Sequence, residues 1–385
     1  MDLPFLLAAV ERGDDTTVLE HLAETSYGGV AGEDGVALLA AAAYAGRHEV
    51  VNRLVACVDP TRPWAGGVDP VDWAAANGAY WVLSALLSRE NDPLRADSPH
   101  RRALRVAQAA LDSGGGAVPP PAHRGIITDL EEKLGIDRTP DELMARALVH
   151  ADPEHEDWLA SLLRITWPES QERFDWARSV VERADSLERR RFGLDAVNFL
   201  GFGFNPDNED EPPFTEEAVE LLRPRLATEQ DPYALRTVVA AFTGYCTRED
   251  LPAVLPHVDH PDPRVRHGVA RAFPGLLDVR PDTLAVLLRL ADDPYPAVRT
   301  SAFEALSRTS VDTPALRAVL AVHLADPAFD ARLEAAAALA LRGDERATPV
   351  LDEVRRGIRN RNSRGAGRLE DLHYQLRARA EGPAV

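Results

Sequence analysis

The chain has 385 residues, too many for one ordinary compact core, and its 45% hydrophobic and 27% charged residues are those of a folded protein. Its formal net charge is −19, divided as −8 over residues 1–95, −13 over 96–260 and +2 over 261–385. Such a surface repels phosphate, which disfavours nucleic acid as a partner and makes a basic protein the natural complement. Cys57 and Cys246 stand far apart and support neither a disulfide framework nor a metal cluster, so each reads as a small buried apolar residue. Met-Asp-Leu-Pro at the start has no basic n-region, and the longest apolar run, residues 36–46, is too short to span a bilayer. A cytoplasmic protein away from membranes is expected. Lys133 is the single lysine among abundant Arg and Ala, a bias that suggests a bacterial gene of high GC content.

In chain order, the first elements repeat. Leu6-Leu7-Ala8-Ala9-Val10-Glu11-Arg12-Gly13 precedes Val18-Leu19 and Leu22. Ala37-Leu38-Leu39-Ala40-Ala41-Ala42-Ala43-Tyr44-Ala45-Gly46 precedes Val50-Val51 and Leu54-Val55. Asp69-Pro70-Val71-Asp72-Trp73-Ala74-Ala75-Ala76-Asn77-Gly78 precedes Val82-Leu83 and Leu86-Leu87. Gly13, Gly46 and Gly78 lie 33 and 32 residues apart. Paired alanines let two short helices approach closely, and each glycine suits the left-handed residue that closes the first helix of a pair. These residues resemble the ankyrin repeat over residues 2–93, with a degenerate cap at 97–112. The usual Thr-Pro-Leu-His is replaced by Ala37-Leu38-Leu39-Ala40 and Asp69-Pro70-Val71-Asp72.

Residues 113–123, Ser-Gly-Gly-Gly-Ala-Val-Pro-Pro-Pro-Ala-His, read as a linker, followed by a connecting helix to residue 137. A second period begins beyond it. Asp262-Pro263-Arg264-Val265-Arg266, Pro296-Ala297-Val298-Arg299 and Asp330-Ala331-Arg332-Leu333 each open an apolar helix, and Arg266, Arg299 and Arg332 are 33 residues apart. Asp231-Pro232 starts an earlier unit, and Arg189-Arg190-Arg191 through Gly201 a more degenerate one. Asp-Pro is expected to cap and open the second helix of each pair. This pattern resembles short HEAT repeats of the phycobilisome-lyase type, over 231–354 most clearly and 138–385 in all. The expected fold is therefore an all-α repeat solenoid: ankyrin-like helix pairs at 1–112, a linker and connecting helix at 113–137, and a HEAT-like superhelix with an Arg-rich cap at 138–385.

Chemical signatures are sparse. HEAT-repeat hydroxylases of the deoxyhypusine type hold two irons through four His-Glu dipeptides, and here only His48-Glu49 and His155-Glu156 occur, in non-equivalent places, so no metal and no cofactor are expected. The acidic run Asn205–Glu211 lacks the spacing of a calcium loop and reads as a solvated loop. The arginines Arg355, Arg356, Arg359, Arg361, Arg364, Arg368, Arg377 and Arg379 read as a cap, or as partners of acids in the same chain, in preference to a contact with RNA, a phosphorylated partner or an acidic protein.

The best binding hint is aromatic. Trp73 falls where ankyrin repeats present a side chain to the concave surface, Tyr44 ends the previous inner helix, Trp64 lies in the tip loop, and Tyr80 and Trp81 sit at the inter-helix turn. Equally, these rings can pack against residues 97–134. His267, Arg271, Thr300 and Glu304 are the non-core positions expected on the inner face of the second array. Together these residues predict a non-catalytic protein-binding scaffold or adaptor, including an inhibitor or immunity protein for a basic partner. The alternative is an enzyme of lyase or metal-hydroxylase type.

Overall fold

The computed structural model describes residues 2–24, 30, 32–114, 121–201, 213–309, 311–357 and 364–381, in two compact units, 1–199 and 200–385. Among the described residues every regular element is helical, apart from one isolated bridge between Trp64 and Val68. The fold is all-α and built from repeated helix pairs.

The first unit opens with α1 (Leu3–Arg12) and α2 (Asp15–Glu24), α3 (Glu33–Tyr44) and α4 (His48–Val55), and α5 (Pro70–Asn77) and α6 (Tyr80–Leu87). Asp2 and Asp69 cap α1 and α5 with a proline in the first turn, satisfying N–H groups that have no helical partner. Gly13, Gly46 and Gly78 all take left-handed φ, of 74°, 68° and 66°, the conformation foreseen for them. Helix α1 packs on α3, α2 on α4 and α4 on α6. The alanines make that approach possible: Ala9, Ala42, Ala74 and Ala75 are fully buried.

Helix α7 (Pro99–Asp112), capped by Ser98, packs against α5. Residues 115–120, most of the expected linker, lie outside the described residues. The next helix, α8 (His123–Lys133), is a packed member of the first unit. It buries Ile126, Ile127 and Leu130 against α7 and α10 (Glu156–Thr166), and Ala122 N–H donates to Gly78 O at 3.1 Å. Helices α9 (Pro140–Ala147), α11 (Gln171–Arg183) and α12 (Leu187–Leu200) follow. The division between compact units thus falls at 199, inside the stretch that sequence spacing groups with the second array.

In the second unit, α13 (Thr215–Thr228) and α14 (Pro232–Tyr245) are followed by α15 (Pro263–Val279), α16 (Leu284–Leu290), α17 (Pro296–Arg308), α18 (Pro314–Val322), α19 (Phe329–Ala340), α20 (Thr348–Gly357) and α21 (Arg364–Glu381). Helices α14, α15, α17 and α19 pack one on the next, and shorter elements flank them. The partner of α15, Arg248–His257, is a 3₁₀ helix because Pro252 and Pro256 remove N–H donors that an α-helix needs.

The 33-residue arginine period becomes a ladder. Arg266 grips Asp293 through Nε and Nη2 at 2.7 and 2.9 Å, and Arg299 grips Asp326 at 2.8 and 2.7 Å. Each arginine also donates from Nη1 to a carbonyl of its own repeat, Arg266 to His260 O and Arg299 to Asp293 O. Here the Asp-Pro expectation needs correction. Asp231 and Asp262 do cap α14 and α15 with proline at the first position. Asp293 and Asp326 instead stand two residues ahead of the N-cap, accept the N–H of Tyr295 and Ala328, and commit their carboxylates to arginine. His260 occupies the corresponding place in the preceding repeat, where its Nδ1 accepts the Asp262 N–H.

Candidate functional site: the exposed aromatic faces

In the first unit the inner helices and a tip loop bring three of the expected aromatics together. Gly66 and Gly67, both at positive φ, turn the loop so that Trp64 N–H meets Val68 O at 2.8 Å, and the Trp64 ring folds inward. Tyr44 meets Trp64 and Trp73 edge-on, with ring centroids 5.2 and 4.9 Å apart, and Trp64 lies 5.4 Å from Trp73. Such edge-to-face contacts fix ring orientation beyond simple burial. Exposure is graded across the group: Trp64 is 2% exposed, Trp73 half-buried and Tyr44 53% exposed. Asp72, next to Trp73, and Asp69 share one cation, since Arg102 on α7 donates to both at 2.6 Å.

The two aromatics at the next turn separate. Trp81 is 39% exposed and lies 6.1 Å from the His48 ring. Tyr80 is buried, and its hydroxyl donates to Asp129 on α8 at 2.7 Å. Burial, then the Asp129 charge, push the phenol well above its usual range, so it stays protonated. Tyr80 therefore takes the alternative role of sealing the helix pair against residues 97–134. Trp64 likewise supports the patch from beneath and offers a partner no surface of its own.

In the second unit a groove of about 550 Å³ opens along α15, α17 and α19, with His267, Tyr295, Thr300, Phe329 and Asp330 among its lining residues. Two expected residues are here: His267 is half-buried, and Thr300, 6% exposed, forms part of the floor with its hydroxyl donated to Pro296 O at 3.0 Å. Exposed Arg271 and half-buried Glu304 do not line it. Tyr295 and Phe329, 41% and 44% exposed, are the groove residues that sequence reasoning missed. Their signal was an aromatic at a helix start, out of step with the apolar stripe.

In the Arg-rich tail Arg355, Arg356 and Arg377 are exposed, while Arg368 turns inward. Arg368 on α21 grips buried Glu334 on α19 with 2.8 Å contacts to both oxygens, and Arg355 pairs with Asp352 at 2.6 Å. Arg359 and Arg361, like the run Asn205–Glu211, lie outside the described residues. Cys246 is half-buried, and burial pushes its thiol up to about 12, which keeps it unreactive. Among the described residues, His150, His155 and Asp157 form the group of donors close enough to hold a metal ion. No described helix is long and apolar enough to cross a membrane.

No curated protein matches the chain. The X-ray structure of the E. coli protein YibA is similar at 18% identity, covering 56% of this chain and 76% of that one with a TM-score of 0.44. Residues 219–307, from within α13 to within α17, match the family model of HEAT repeats, so this stretch of the second unit is similar to HEAT repeats.

Proposed function

We propose that this chain is a non-catalytic protein-binding scaffold whose first contact surface is the Tyr44 face of the opening helix pairs. We read these pairs, over residues 2–93, as ankyrin-like. The observation that carries the reading is Tyr44 itself: a ring 53% exposed, yet held edge-on by two tryptophans. An aromatic held rigid loses little entropy on binding, which is why such side chains act as interface anchors. Trp81 is a further exposed aromatic of the same unit, and the groove lined by Tyr295 and Phe329 supplies a second face in the other unit. The net charge of −19 favours a basic protein as occupant, and an inhibitor or immunity role toward such a partner fits that chemistry.

The test is affinity capture from extract of the native cell with the wild-type chain and with Tyr44→Ala and Trp81→Ala side by side. A basic protein retained by the wild type should dissociate as salt rises and bind each variant about tenfold or more weakly. Equal retention by all three chains, or a captured partner that is acidic and insensitive to salt, overturns the reading.

A further inference from the structure

We propose that His150, His155 and Asp157 form a binding site for a divalent transition-metal ion of borderline softness, with Zn²⁺ the member of that class that suits two imidazoles and one carboxylate. One donor atom from each of the three lies within 4.8 Å of the other two. His150 Nε2 is 3.5 Å and His155 Nδ1 3.8 Å from Asp157 Oδ2. Around tetrahedral zinc, with bonds of about 2.0–2.1 Å, donors sit about 3.4 Å apart, so both imidazoles already stand near that spacing from Asp157 and the two imidazoles must close on each other by up to about 1.4 Å.

The second, independent observation is an orphaned carboxylate oxygen. Asp157 is fully buried, yet its Oδ2 has no hydrogen-bond partner, and neither has His150 Nε2, which faces it. Buried polar atoms are nearly always paired, and a shared cation satisfies both at once. The rest of the site is built around that carboxylate. Gly125 N–H on α8 donates to Asp157 Oδ1 at 2.6 Å and so turns Oδ2 toward the imidazoles. A side chain at Gly125 would bring its Cβ within 3.2 Å of Oδ1, tighter than ordinary contact. Ala151 takes a left-handed φ of 52°, which folds His150 back on His155 with ring centroids 4.2 Å apart.

Metal entry meets an internal competitor. His155 Nδ1 accepts the Asp157 N–H at 3.1 Å as the cap of α10, and an ion would draw on the same lone pair. His150 is 25% exposed, so the cluster touches solvent on that side. Asp152 adds negative charge and Arg124 positive charge around the cluster. The sequence pairing His155-Glu156 is not the motif that matters: Glu156 is outside the cluster, and His150 and Asp157 take its place.

The experiment is independent of any protein partner. Full-length protein stripped of metal with chelator is titrated with Zn²⁺ by calorimetry and with Co²⁺ by visible absorbance. One equivalent should bind, Co²⁺ should show the intense bands of a four-coordinate site, and His150→Ala and Asp157→Asn should each weaken binding at least tenfold. Glu154→Gln, an exposed acid nearby, should leave it unchanged. If Asp157→Asn fails to fold by circular dichroism, His150→Ala carries the test, since its side chain is the most exposed of the three. Absence of Zn²⁺ heat and Co²⁺ bands means a plain His–Asp pair and overturns the proposal. So does wild-type affinity in His150→Ala, which would put the ion elsewhere on the acidic surface.

Discussion

Asp326→Asn tests whether the arginine ladder couples the repeats. Asp326 is 2% and Arg299 10% exposed at the side chain, so this pair is shielded from water where most surface pairs are not. Burial opposes ionisation of Asp326, but the hydrogen bonds from Arg299, the Ala328 N–H and His323, with the Arg299 charge, outweigh it and hold the carboxyl at about 2. A carboxyl depressed from its ordinary value near 3.8 contributes about 2 kcal/mol of stability. That contribution is complete above about pH 5 and drains away as pH falls toward 2, because the unfolded chain binds its proton first. Asn keeps the shape and one oxygen for the Ala328 N–H and Arg299 Nη2, but it removes the negative charge and sets an NH2 donor against Arg299 Nε, so the buried guanidinium loses its counter-ion and half of the grip. The expected loss is about 3 kcal/mol at pH 7, within the range for breaking one side of a buried pair. Hydrogen exchange read by mass spectrometry is the suitable assay, because repeat arrays open locally. Amides of α17 and α19 should exchange about a hundredfold faster in the variant, and this difference should shrink as pH falls through the window above. Arg280→Ala, which breaks an exposed pair with Asp282, should match the wild type. A change under threefold in α17 and α19, or one equal at pH 7 and pH 3, would refute the coupling.

Arg368→Ala removes the guanidinium that holds both oxygens of the buried Glu334 carboxylate and should loosen α21, seen as faster exchange over residues 364–381 with α15 unaffected, at a cost of about 1–2 kcal/mol to that docking. Gly78→Ala should destabilise the first unit more than Gly46→Ala. Both force a left-handed alanine, costing about 1 kcal/mol, but only at Gly78 would the new Cβ stand 2.3 Å from Pro121 Cβ and 2.9 Å from Ala122 N. Equal midpoints in urea would count against that packing. Cys246 should resist iodoacetamide at pH 8 in the native protein and react once the chain is unfolded, since burial holds its thiol near 12; rapid native labelling would contradict its burial.

Periodic features were legible because they follow from local rules. The left-handed glycines, the Ala-lined contacts and the capping aspartates of α14 and α15 each depend on a residue and its immediate neighbours. Long-range pairings were not legible. Nothing near Arg266 announces Asp293, 27 residues on, although both residue types repeat in step. Tyr80 shows the same limit: its role is decided by Asp129, beyond the Gly/Pro run. The candidate faces were half-visible for the same reason. Aromatic composition picked out Tyr44, Trp73 and Trp81, but exposure is a property of the packed array, which drew Trp64 and Tyr80 inward and left Tyr295 and Phe329 out. The metal candidates were hidden by proximity in the chain: His155 was judged by its neighbour Glu156 rather than by what the Ala151 turn folds against it.

The two rungs share a direction, because Arg266 and Arg299 each reach forward and Asp293 and Asp326 are each reached from behind. A block cut from residue 293 to residue 325 therefore carries one socket and one plug, Asp293 and Arg299, and a tandem duplicate of it would engage Arg266 upstream and Asp326 downstream without altering either. His260, standing where a socket would be and preceded by apolar Leu235, ends this lattice on one side. The same protein could thus be lengthened in 33-residue steps from the middle, and the number of repeats is a quantity the array leaves open to insertion.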